Sequence, residues 1–122
     1  MSGTIPGFID VVLNFGSSSF KGDNLISQWD KADFKMTMFG DDTWLKLFPD
    51  KFVRQDGTTS FFVSDFTEVD LNVTRHLEPE MKERLDWDVS ILHYLGLDHI
   101  GHLIGPEASS VAPKLEEMDR YT

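Results

Sequence analysis

The chain has 122 residues, 40% hydrophobic, 26% charged and 12% aromatic, which is the size and composition of one folded domain with a real core. Its 21 acids against 11 Lys and Arg give a formal net charge of −10, which argues against a nucleic-acid partner, because phosphate neutralisation needs clustered cations. With no Cys, disulfide scaffolds, thiolate zinc sites and cysteine nucleophiles are excluded.

In chain order, Thr4-Ile5-Pro6-Gly7 with Phe8, Val11, Val12 and Phe15 predicts a capped helix, broken by the loop Gly16-Ser17-Ser18-Ser19. Asp23 to Asp33 predicts a second helix with Leu25, Ile26 and Trp29 inward, and Phe34 to Phe39 a strand closed by Gly40. Asp41 to Asp56 reads as a short helix and loop around Pro49, with Trp44, Leu47 and Phe48 in the core. Thr59 to Phe62 reads as a brief strand or buried loop, and Glu68 to Leu85 as a helix interrupted or bent at Pro79. Asp88 to Leu95 is the clearest strand, an apolar run of the kind buried in a parallel sheet, and Pro113 opens a last helix through Met118. This order predicts an α/β layered domain with a mainly parallel sheet. Both ends of the pattern look unfinished, as an internal fragment's would. No apolar run nears the roughly 18 residues of a membrane span, and no signal-peptide pattern opens the chain, so any anchor is expected outside it.

The chemistry concentrates in Leu95-Gly96-Leu97-Asp98-His99-Ile100-Gly101-His102, directly after the clearest strand. Ligands of open α/β sheets bind beyond the carboxyl ends of strands. A carboxylate and an imidazole four residues apart can converge on one cation, and oxygen plus nitrogen donors suit zinc. On this reading Asp98 and His102 are metal ligands, and Gly101 leaves room for close packing. His99 faces the other way in a structural role, His93 is a satisfied core histidine, and His76 faces solvent. Asp41 and Asp42 follow a strand end. They read as a helix cap with Thr43, or as acids that shape a substrate pocket. Thr58, Thr59, Ser64 and Thr67 have no adjacent base and are not nucleophile candidates. Asn72-Val73-Thr74 is a sequon, which makes Asn72 a glycosylation candidate.

Gly96-Leu97-Asp98-His99-Ile100-Gly101-His102 with Gly105-Pro106 resembles the metal-ligand turn of the alkaline-phosphatase superfamily. Gly40-Asp41-Asp42-Thr43-Trp44, the run from Ser60 to Asp70, Asn72 to Leu77, Asp86-Trp87-Asp88 and Pro113-Lys114-Leu115 narrow the match. They resemble the GPI ethanolamine phosphate transferases, with the branch that modifies the second mannose fitting best. The resemblance covers nearly the whole chain. It implies a luminal catalytic domain of a polytopic endoplasmic-reticulum membrane protein, within which residues 1–122 form an internal piece. It further implies two divalent metal ions, expected to be zinc, and a threonine nucleophile that takes phosphoethanolamine from phosphatidylethanolamine. The acceptor is a mannose of the GPI-anchor precursor, and a small multi-spanning membrane subunit is the implied partner. Carried over by residue, Asp98 and His102 fall on two ligands of one metal, with a third histidine expected beyond Thr122. The threonine nucleophile with its metal-binding aspartate, and an Asp-His-Gly turn, are absent from this sequence, so the chain alone is expected to be inactive. Two other readings carry different chemistry: a nucleotide pyrophosphatase or phosphodiesterase of the same superfamily, and a non-catalytic truncated product.

Overall fold

The computed structural model describes residues 19–59 and 66–121. The helix expected from Thr4 to Phe15, all but the last residue of the loop Gly16 to Ser19, all but the first of the strand or loop Thr59 to Phe62, and the Ser64 hydroxyl lie outside them. Among the described residues five helices and three strands alternate: α1 (Leu25–Lys31), β1 (Met36–Asp41), α2 (Thr43–Leu47), β2 (Arg54–Thr58), α3 (Glu68–Lys82), β3 (Val89–His93), α4 (Gly96–Ile104) and α5 (Val111–Asp119). All three strands are parallel, in the order β2-β1-β3, so the expected α/β class is what forms.

Each element has a local cause. Asn24 caps α1, its Oδ1 accepting from Ser27 N at 2.8 Å, and the helix stops before Asp33, which adopts a left-handed φ of 59°. The strand β1 is buried along its whole length, as a central strand flanked on both edges must be. At its end Gly40 has φ 125°, and a Cβ there would lie 2.3 Å from the His93 carbonyl oxygen, so only glycine lets β3 pair here. Glu68 and Asp70 put acids in the first turn of α3, where the helix dipole favours them. That helix runs through Pro79 and ends three residues later at Lys82.

Register sorts the side chains onto two faces. Met36 pairs with Val89 and Met38 with Ile91, and Met36, Val89 and Ile91 pack with Ile26, Trp29, Trp44, Leu47, Phe48 and Phe52 into the main apolar core. On the opposite face Phe39, paired with Asp56, stacks on His76 of α3 at 4.3 Å, and Val69 and Val73 of α3 are buried. Helices therefore cover both faces of the sheet.

Four expectations change. Leu25, expected inward, is 40% exposed, while Ile26 carries the buried contact of α1. His76, expected in solvent, stacks on Phe39 and holds Asp56 Oδ2 at 2.8 Å from its Nε2. The strand placed at Asp88 to Leu95 is shorter and only half-buried, because it is an edge of the described sheet. Arg54 to Asp56, the end of the segment read as short helix and loop, belong instead to the other edge strand, Arg54–Thr58.

Candidate metal centre

Because the strands are parallel, their carboxyl ends share one edge of the sheet. The turns after β1 and β3 both leave from that edge, where Gly40 pairs with His93. The first turn carries Asp41 and Asp42, and the second leads straight into α4 with Asp98 and His102.

The expected ligand turn is a regular helix. Gly96, His99 and Ile100 form its buried face, which puts His99 at 3% exposure in the inward position expected of it. Asp98 and His102, four residues apart, share the opposite face, with side chains 57% and 73% exposed. Asp98 Oδ1 lies 3.4 Å from His102 Nε2. Two donors bonded to one tetrahedral zinc at about 2.0–2.2 Å sit roughly 3.3–3.6 Å apart, so the spacing of this pair matches one edge of such a shell. Among the described residues no group of three or more His, Asp or Glu side chains could hold a metal ion by itself, so these two would be part of a ligand set. The room expected at Gly101 is there on the protein side. A Cβ there meets nothing within 4 Å, and Gly96 is where the backbone approach is tight.

The two pocket candidates have local partners. Asp41 is buried, and its Oδ1 accepts from Thr43 N at 2.7 Å, the bond of a helix start. Asp42 sits at the N-cap position of α2 without a side-chain cap bond, and its carboxylate pairs with Lys46 Nζ at 2.8 Å. Trp44, also on α2, donates from Nε1 to His93 Nδ1 at 3.0 Å, which gives that ring nitrogen at the end of β3 its partner.

Asn72 stands apart from this edge, on α3 against β2. It is 6% exposed, and its Nδ2 donates to Asp56 Oδ2 at 2.9 Å. A glycan on that nitrogen would have to open the contact between α3 and β2.

Sequence reasoning missed the buried charges that hold these elements together. Glu80, 2% exposed, takes Arg54 Nε and Nη2 at 2.9 and 2.7 Å. Those bonds hold the Glu80 carboxyl below its usual pKa. Asp70 and Lys114 form a second buried pair at 2.7 Å. Burial opposes the Lys114 charge, yet the bonds from Asp70 and Glu117 prevail and raise its pKa. No spacing rule exposes either pair, since each joins elements far apart in sequence.

Similarity to known proteins gives this arrangement a family. The Homo sapiens protein "GPI ethanolamine phosphate transferase 2, catalytic subunit" is 56% identical over 119 residues, covering 98% of this chain and 12% of that protein. GPI ethanolamine phosphate transferase 2 of Yarrowia lipolytica is 50% identical over 123 residues (97% and 14%), and that of Schizosaccharomyces pombe 52% over 125 residues (97% and 16%). No family model and no solved structure matches the chain. The chain belongs to the GPI ethanolamine phosphate transferase family. Within it, the similarity is to the type 2 enzymes, of which the chain spans 12–16% of the length in these three relatives.

Proposed function

We propose that this chain supplies Asp98 and His102 as two ligands of one zinc ion in the catalytic domain of a type 2 GPI ethanolamine phosphate transferase. The observation that carries the reading is the 3.4 Å approach of Asp98 Oδ1 to His102 Nε2 on an open helix face, directly after β3 at the carboxyl edge of the sheet. The complete enzyme moves phosphoethanolamine from phosphatidylethanolamine to a mannose of the GPI-anchor precursor. When bound, a divalent cation activates the nucleophile and neutralises charge on the transferring phosphoryl oxygens.

Asp98 and His102 present an oxygen and a nitrogen donor on the same side of α4. Trp44 partners His93 at the same sheet edge, and Asp41 shapes the turn after β1. The remaining ligands and the threonine nucleophile come from other parts of the enzyme, so this chain alone is inactive. The domain faces the lumen of the endoplasmic reticulum in a membrane-anchored protein that works with a small membrane subunit. No helix among the described residues is long and apolar enough to cross a membrane. A glycan on Asn72 is part of the same proposal. It requires modification before α3 packs, and a glycosidase-sensitive mass shift abolished by Asn72→Gln would support it.

The test is transfer activity of the complete enzyme bearing Asp98→Ala or His102→Ala. Both side chains are exposed, so each variant should fold normally and lose activity by more than about 100-fold, beyond the usual cost of changing an outer-shell partner. Near-normal transfer by either folded variant would sink the reading.

A further inference from the structure

The helix that presents Asp98 and His102 does not cap itself. Leu95 occupies its N-cap position with no side-chain cap bond. Asp70, reaching across from α3, fills the gap: its Oδ1 accepts from Leu95 N at 2.7 Å and from Gly96 N at 3.0 Å. A carboxylate at a helix N-terminus satisfies open N–H groups and matches the dipole. Its other oxygen lies 2.7 Å from Lys114 Nζ on α5, and the two side chains are 1% and 6% exposed. Lys114 is held in turn by Glu117 Oε2 at 3.1 Å. The fit leaves no slack: a Cβ on Gly96 would stand 2.4 Å from Asp70 Oδ2, 2.4 Å from the Phe66 carbonyl oxygen and 2.6 Å from Lys114 Cε. One buried carboxylate therefore joins α3, the start of α4 and α5 at a single point. Asp98 follows two residues after Gly96, inside the turn so fixed.

We infer that Asp70 is a positioning residue for the metal held by Asp98 and His102, with Lys114 locking its carboxylate in place. The inference rests on the metal reading above and deepens it. Asp70 touches neither ligand. It acts by setting the position and direction of the helix that carries both, and a metal site tolerates donor displacements of only about 0.2 Å. Burying an acid and an amine is costly unless both are satisfied, and neutral packing residues could join three helices as well. A charged pair adds an acceptor strong enough to take two backbone N–H groups at the foot of the ligand helix.

The test is zinc affinity of the complete enzyme, measured by competition with a chelator, with melting temperature and elution volume recorded beside it. Asp70→Asn keeps the side-chain shape but weakens the acceptor and sets an amide against Lys114. It should bind zinc about 10-fold more weakly, the low end of what losing a group bonded directly to a ligand costs, because Asp70 acts through the helix, and excess zinc should restore transfer. Lys114→Gln, which retains both backbone bonds, should show a smaller loss in the same direction. Unchanged zinc affinity in folded Asp70→Asn overturns the inference, as does a loss of activity that zinc does not rescue. If Asp70→Asn fails to fold, unchanged affinity in Lys114→Gln overturns it equally. Asp98→Asn and His102→Gln are measured in parallel. If they keep zinc, the metal reading itself is wrong; if they lose it while Asp70→Asn does not, only the positioning role fails.

Discussion

Helices α3 and α4 use their charged residues in opposite ways. On α3, Asp70 and Glu80 are turned inward to about 1% exposure, and each is matched to a cation on another element. On α4 the charge-bearing pair is turned outward, and Asp98 and His102 meet each other above an open face. A carboxylate buried against a cation from another element can hold architecture but is closed to an outside ligand. An exposed Asp–His pair adds little stability, since surface pairs contribute about 0–1 kcal/mol, yet its donors stay available. Charge alone therefore does not single out the candidate pair in this acidic chain; exposure and donor chemistry do.

The contrast can be broken first on the α3 side. Arg54→Met should be the most destabilising change, because it leaves the Glu80 carboxylate buried with only the more distant Arg84, at 3.6 Å, for company. Denaturant unfolding would show it, and a loss below 1 kcal/mol would mean that Glu80 is not committed to structure. Next comes the joint between β1 and β3. Gly40→Ala forces a Cβ toward the His93 carbonyl at a φ that disfavours it, and should cost about 2–3 kcal/mol by the same measurement.

The smallest expected effect is the pH dependence of the melting temperature. Hydrogen bonds from His76 to Asp56, and from Arg54 to Glu80 and Asp86, lower these three carboxyl pKa values in the folded protein. Their contribution is therefore present above the unfolded values, about 4–4.5, and is lost as pH falls through the lower folded values. Glu80 should dominate, because Asp56 and Asp86 are 49% and 61% exposed and screened by water. Lys114 works at the other end: its raised pKa gives stability that is complete below about pH 10.5 and lost above it. Arg54→Met should flatten the acid limb and leave the alkaline one alone.

Much of this was legible in the sequence, for identifiable reasons. Ile26 and Trp29 sit at helical spacing, and Val89 to His93 is an apolar run, so α1 and β3 announce themselves. The closeness of Asp98 and His102 was legible because four residues is one helical turn, whether the segment is drawn as turn or helix. The strand β2 was not. Its residues, Arg54-Gln55-Asp56-Gly57-Thr58, include no apolar side chain, because an edge strand can face α3 through ion pairs and hydrogen bonds instead. Asp70 and Lys114 were invisible for the same reason: a charge paired across the fold looks in sequence like any other surface charge. His76 was misjudged because its stacking partner, Phe39, lies on a distant strand.

The most direct test of the central claim is the zinc content of the purified complete enzyme carrying Asp98→Ala together with His102→Ala. If α4 holds a metal, elemental analysis should find one zinc fewer per molecule than in the parent protein, with the melting temperature nearly unchanged. An unaltered zinc content in a folded double variant would contradict the account and leave α4 a surface helix with an incidental ion pair.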